Sequence, residues 1–374
     1  MRVEVVRTGG IVRDVSLVDD DGMAVQPVRR FLRHVLDCGG SPNTAAAYGY
    51  DLKYLFDFFT EASVEWVAFS PAVAMEFLGW LRARPSRRAA QRLGLSAVVP
   101  GGRSLAPATL ARVLATVSSF YGWAAVVEDF DGPNPLHRRR DDALARVPDR
   151  HRPFTGGASR QQPMRREIRV KLPMRLPRPL SDEDVAALLG SMRCSRDLAM
   201  VLLMLDGGLR PGEVLGLHLE DIAYGRRRVA IRKRDDHPGG ARGKSRAERV
   251  VDVLDPRTLD AVNRYVLNER PGGAESVFVF LVGGHGPRAS EPLSYSALVR
   301  MFSRRLEELG IRSPEKTPHA LRHTHATALW EGGMRELALQ RRLGHASPES
   351  TRIYTRVSDA QVRDEYAAAM KAHQ

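Results

Sequence analysis

Six side chains in the second half of this 374-residue sequence are of types that can work on a phosphate ester. Arg210 follows Gly207-Gly208-Leu209 and precedes Pro211-Gly212-Glu213. His319 and Arg322 stand three residues apart, which makes them neighbours on one face of a helix. His345 follows Gly344 at a helix stop, and Tyr354 comes nine residues after it. Lys244 sits in a turn-rich stretch between two alternating apolar segments. Two Arg, two His, a Lys and a Tyr, without a matching set of acids, form an unusual inventory. Arginine offers a planar fork of donors that fits phosphate oxygens. Tyrosine and histidine suit nucleophilic attack and proton transfer better than they suit the holding of a metal phosphate. The chemistry implied is metal-free phosphoryl transfer through a covalent tyrosyl phosphate.

Such a set requires elements that end near one another. Ser181 and Asp184 have the spacing of a capping box ahead of Val185, Leu188 and Leu189. Arg196 to Asp206 reads as a strongly apolar helix stopped by Gly207-Gly208. Arg228–Lys233 and Arg249–Leu254 alternate like strands, with a long turn through Asp235-Asp236-His237-Pro238-Gly239-Gly240 between them, and Ser276–Val282 is a candidate third strand. Helices are predicted at Ser294–Leu309, Thr317–Trp330, Met334–Leu343, Pro348–Tyr354 and Asp359–Ala372. Upstream, Ser41-Pro42-Asn43-Thr44 opens one helix and Pro107 another. The expected fold is mainly α with a small antiparallel β-sheet, an α+β chain. Its expected divisions are an N-terminal extension at 1–24 (a possible hairpin), a helical domain at 25–135, a linker at 136–180 and a second domain at 181–374.

Lys+Arg number 57 against 44 Asp+Glu, a formal charge of +13 that favours a polyanionic partner, nucleic acid or an anionic membrane surface. Residues 138–178 alone hold 13 basic residues against four acids, so most of the excess lies where apolar periodicity disappears. A solvated, self-repelling spacer is one reading of that stretch; a segment that follows a phosphate backbone accounts better for the concentration. With 43% hydrophobic and 27% charged residues the chain is neither disordered nor a small stapled scaffold. Cys38 and Cys194 are too few for a disulfide framework or a four-cysteine zinc site. No run approaches the ~18 apolar residues of a membrane span. Met1 to Asp21 lacks the apolar centre of a signal peptide. A soluble, cytoplasmic, nucleoid-associated protein without membrane contact is expected.

Gly208-Leu209-Arg210-Pro211-Gly212-Glu213, His319-Ala320-Leu321-Arg322-His323, and Leu343-Gly344-His345 with Tyr354 resemble the signature boxes of the tyrosine recombinase (phage integrase) family. Lys244 through Val251 is similar to its β-hairpin lysine box. Each box is a weak pattern alone; four in order, at these spacings, are strong. The resemblance covers 181–374. Residues 25–135, with Asn43-Thr44, Tyr48, Asp51-Leu52 and Ala108-Thr109-Leu110, are similar to the family's core-binding domain.

This resemblance implies a C-shaped clamp of two domains on duplex DNA carrying a specific target site. Tyr354 would attack the scissile phosphate, giving a 3′-phosphotyrosyl bond and a free 5′-hydroxyl. Arg210 and Arg322 would hold the non-bridging oxygens, with His345 adding a hydrogen bond. Lys244 would protonate the departing oxygen, and His319 would assist proton transfer at Tyr354. Glu213 would orient the Arg210 region. Neither metal, cofactor nor ATP is implied. Partners would be a homotetramer assembled on DNA, through Holliday-junction exchange, with accessory DNA-bending or sister recombinase proteins. Asp364–Met370 could serve as a C-terminal exchange segment, or pack in cis. The basic linker and N-terminal extension favour an integrase or transposase of a mobile element over a Xer-type resolvase of chromosome or plasmid dimers.

Alternatives stay open. Because Asp235 to Arg242 lengthens the turn, Lys233 competes with Lys244. His319 and His323 have the i, i+4 spacing of a zinc pair, but a metal would leave Arg210 and Tyr354 without a role. His323 and His325 are taken as structural, buttressing the site. A catalytically silent DNA-binding relative and a type IB topoisomerase are the competing functions.

Overall fold

The computed structural model describes residues 1–8, 11–85, 104–127, 129–140, 164–172, 179–234, 236–240 and 248–344. The chain divides into two compact units, one essentially Met1 to Met174 and the other essentially Arg175 to the C-terminus. It is mostly helical, with small antiparallel sheets.

In the first unit, strands β1 (Arg2–Thr8) and β2 (Ile11–Val18) pair with each other. Helices α1 (Gln26–Asp37), α2 (Pro42–Ala62), α3 (Pro71–Ala83) and α4 (Pro107–Val126) follow. All four begin with a proline in the first turn, where its missing N–H loses no helical bond. Ser41 and Ser70 cap α2 and α3 by accepting from the Thr44 and Val73 amides. Gly49 lets the strands lie directly on α2, since a Cβ there would stand 3.3 Å from both Val3 and Val15 methyls. Aromatic rings dominate the core: Phe69 stacks on Tyr121 at 4.9 Å, and the Tyr121 hydroxyl donates to the Trp66 carbonyl at 2.7 Å. One carboxylate, Asp51, is fully buried between α2 and α4. It accepts from the Thr116 hydroxyl at 2.9 Å and pairs with Arg112 at 2.9 Å.

Strands β3 (Arg138–Arg140) and β4 (Met164–Arg166) form an antiparallel ladder that pairs Arg138 with Arg166 and Arg139 with Arg165.

The second unit starts with α5 (Asp182–Gly190), capped by Ser181 as its spacing predicts. Helix α6 (Ser195–Leu205) is buried almost throughout, followed by the short α7 (Pro211–Leu215). The sheet has the order β5 (Ile222–Ala223), β6 (Arg228–Ile231), β7 (Arg249–Asp252), and Ile231 pairs with Arg249. The third strand is thus β5, not Ser276–Val282. That stretch runs past His218 and Pro292 in single bridges, because its amides and carbonyls alternate between Leu217/Leu219 and the turn at Glu291. Helix α8 (Pro256–Arg264), which sequence reasoning did not predict, is capped by Asp255 and continues into a π turn (Tyr265–Glu269). Helices α9 (Tyr295–Glu308), α10 (Pro318–Glu331) and α11 (Glu336–Leu343) complete the described part. The predicted helices at 348–354 and 359–372 and the segment Asp364–Met370 lie outside the described residues. Among the described residues, no helix is long and apolar enough to cross a membrane.

Candidate active site

Helix α6 ends in a glycine turn that delivers Arg210. Gly208 adopts φ +64°, and a Cβ there would stand 2.4 Å from the His325 ring, so only glycine fits. The Leu209 amide returns to the Leu203 carbonyl at 3.2 Å, which closes the turn. Arg210 is then the residue preceding α7, and the Glu213 carboxylate one turn later accepts from its backbone amide at 2.9 Å. The Arg210 guanidinium curls to the same carboxylate, Nη1 to Oε1 at 2.8 Å.

Glu213 is the centre of this cluster. Arg249 of β7 reaches it with a two-pronged hydrogen bond, Nη2 to Oε2 at 2.7 Å and Nη1 to Oε1 at 3.0 Å. Arg322 of α10 stands 3.8 Å away. Burial by itself would push the Glu213 carboxyl up, but the hydrogen bonds and charge of Arg249, then the charge of Arg210, hold it at about 2. Three cations around one anion leave a local surplus of positive charge, the condition for receiving a phosphate.

Arg322 is completely buried in α10, whose first turn begins with Pro318. It donates to the Gly208 carbonyl at 2.6 Å and to the Leu343 carbonyl at 2.5 Å. Arg210 points at the same helix end, with Leu343 and Gly344 carbonyls at 3.5 and 3.4 Å. The C-terminus of α11 therefore meets both guanidinium groups, as the negative end of a helix dipole favours. His345 follows this end directly in sequence.

Two histidines that sequence reasoning set aside as structural are indeed packed. His325 is buried, and its Nε2 accepts from Arg342 Nε at 3.1 Å. Burial first, then the charges of Arg342 and Arg322, lowers it to about 4, so it is neutral and places its Nδ1 proton toward Leu205. Burial likewise, with Arg322 beside it, brings His323 to about 4. His319, in contrast, is exposed on the first turn of α10 and meets His323 edge to face at 4.8 Å.

Of the six predicted residues, Arg210 and Arg322 come together around Glu213 and Leu343, and His319 lies one turn before Arg322 on α10. Lys244, His345 and Tyr354 lie outside the described residues. The competitor Lys233 is exposed just beyond β6, its amide donating to Glu248 at 3.2 Å. Sequence reasoning missed Arg249 and Arg342 as members of the cluster. Arg249 carried a signal, since it stands inside the lysine box and at the inward register of β7 with Val251. Arg342, in a surface-like Arg-Arg pair, carried none. Among the described residues no group of three or more His, Cys, Asp or Glu is arranged to hold a metal.

A helical unit thus precedes, in sequence, a mixed unit that carries this arginine cluster, and the comparisons identify the class of protein. Residues 179–361 match the phage integrase family and residues 28–100 its N-terminal SAM-like domain. The chain belongs to the phage integrase family, the tyrosine recombinases, whose curated relatives are site-specific recombinases. It is 30% identical over 371 residues to tyrosine recombinase XerC of Rhodospirillum centenum, covering 97% of this chain and 91% of that one. It is 27% identical over 352 residues to transposase A from transposon Tn554 of Staphylococcus aureus, covering 94% and 92%. In fold it resembles the Tn1549 transposon integrase in complex with transposon right end DNA (TM-score 0.62, 17% identity, 92% of this chain and 99% of that one).

Proposed function

We propose that this protein cuts and rejoins duplex DNA at a specific target site, with Tyr354 as nucleophile, Arg210 and Arg322 as the phosphate clamp, and no metal or ATP. The Tyr354 oxygen attacks the scissile phosphorus. The P–O5′ bond breaks, a 3′-phosphotyrosyl ester forms, and Lys244 delivers a proton to the leaving 5′-oxygen. His345 adds a hydrogen bond to a non-bridging oxygen, and His319 assists at the phenol proton. Rejoining is the reverse, with a 5′-hydroxyl from the recombining strand as nucleophile. The ester keeps the bond energy, so no external source is needed. Stabilising the charge of the pentavalent state with fixed donors is typically worth 10²–10³ in rate per donor, and acid–base assistance roughly 10²–10⁴.

The observation that carries this reading is the meeting of Arg210 and Arg322, from separate boxes, on one helix terminus beside a buried carboxylate. The two-domain clamp, a homotetramer on DNA, and the domain limits 25–135 and 181–374 belong to the same proposal. Assignment to a mobile element is favoured by the full-length likeness to the Tn554 transposase. The likeness to XerC supports dimer resolution as a second reading.

Junctions recovered from cells carrying the gene supply the test duplex. A nicked form of it traps a covalent protein–DNA adduct that survives chelation, and Tyr354→Phe abolishes it. Binding without any adduct would identify a silent relative, and relaxation of arbitrary plasmids by a monomer would identify a topoisomerase.

A further inference from the structure

We propose that Arg249 is the positioning residue of this centre: its fork on Glu213 sets the Arg210 guanidinium and ties strand β7 to the end of α11. The proposal rests on the recombinase reading above.

An arginine at this place is not what a strand of this sheet calls for. β7 lies at the end of the three-stranded order, and its inward register carries Val251 opposite Val229 and Arg249 opposite Ile231. A buried apolar residue would serve packing there. Instead a guanidinium side chain, only 8% exposed, donates from all three of its nitrogens to two other elements. Nη1 and Nη2 hold both oxygens of Glu213 on α7, and Nε donates to the Arg342 carbonyl on α11 at 3.0 Å. Gly344, at φ +63°, leaves room for it, since a Cβ there would stand 2.8 Å from Nη1.

The consequence is geometric. Glu213 also holds the Arg210 amide and guanidinium, so the Glu213 orientation fixes where the clamp points. Arg249 chooses that orientation by occupying both carboxylate oxygens, which a single-point donor cannot do. The same side chain fastens the strand that follows Lys244 by five residues in sequence to the helix end that precedes His345. One residue thus links the elements that bear the arginine clamp, the lysine turn and the histidine box, without touching substrate.

The experiment measures single-turnover adduct formation on the nicked duplex, alongside DNA affinity and thermal unfolding. Wild type must form adduct; if it does not, the recombinase reading fails rather than this one. Arg249→Ala is expected to slow adduct formation about 10²-fold, as misplacement of reacting groups does, with affinity within about twofold. Losing Arg249 also frees burial to raise the Glu213 carboxyl, so the rate of R249A relative to wild type falls further from about pH 7.5 to about pH 5.5. E213Q/R249A shows no such acid limb. If R249A does not fold, Arg249→Lys decides, because it keeps charge and stem but loses the fork; it is expected to show the same rate loss. A wild-type rate in either variant, or affinity falling as much as rate, or an acid limb that persists in E213Q/R249A, overturns the proposal.

Discussion

Arg322, wholly buried in α10, donates to the carbonyl of Gly208 at 2.6 Å across 114 residues of chain. This bond joins the helix that carries the second box to the glycine turn that carries the first. The turn can be approached this closely because Gly208 has no side chain and a positive φ. In the proposed reading clamp and scaffold are one construction, since the Arg322 guanidinium also satisfies the buried carbonyls of Gly208 and Leu343.

Arg322→Lys should separate these roles poorly and fail at both. An ammonium cannot reach the Gly208 and Leu343 carbonyls with the geometry of a fork. A carbonyl left without its donor destabilises by about 1–3 kcal/mol, and loss of a clamp donor slows cleavage roughly 10²–10³-fold. Urea unfolding and adduct kinetics on the same preparation check the pair of effects; a wild-type rate in R322K removes Arg322 from the clamp.

His325 makes the second unit sensitive to acid. Its folded value, about 4, lies below the ordinary histidine value of 6.5, because it is buried and faces Arg342 and Arg322. The unfolded chain then binds the proton more readily, so stability is full above about pH 6.5 and declines as pH falls toward 4, by up to about 3 kcal/mol. Unfolding midpoints measured across that window should slope upward with pH, and His325→Asn should reduce the slope to the share left by His323, which is also brought to about 4. An unaltered slope in H325N would assign the acid sensitivity elsewhere.

Asp51 gives the first unit the opposite trend. Burial raises its carboxyl to about 6, against the opposing charge of Arg112 and the Thr116 hydroxyl. Here the folded state binds the proton more readily, so stability is greatest below the ordinary carboxylate range and falls as pH rises from about 4 to about 6, again by up to about 3 kcal/mol. Asp51→Asn should remove this decline. Hydrogen exchange resolved by unit would show the first unit weakening over the range in which the second strengthens.

The ladder of β3 and β4 places five arginines, Arg138, Arg139, Arg140, Arg165 and Arg166, on two paired three-residue strands. If these meet the DNA backbone, their neutralisation lowers the slope of log K against log[salt] by about 4 units. Titration of binding at several salt concentrations reads this directly; an unchanged slope leaves the linker as a spacer.

The sequence by itself determined the class of chemistry, the mainly helical composition and most helix starts. Ser41, Ser181 and Pro107 act within a turn of themselves, so their effect is visible in a few residues of text. It also offered a candidate set for the phosphate, of which the structure describes Arg210, His319 and Arg322. What it did not determine was the partner of each. Ser276–Val282 is a short apolar run of the kind a strand uses, yet its neighbours offer only single bridges, and the third strand is Ile222–Ala223. Arg342 looks in the sequence like any basic surface residue, and Arg249 shows only that it stands in the lysine box at an inward position. Only the tertiary structure gives them a buried carboxylate and a buried imidazole to hold. Local signals fix local geometry, whereas the ion pair between α7 and β7 and its hydrogen bond to the α11 backbone depend on distances set by the whole core, and no window of sequence contains them.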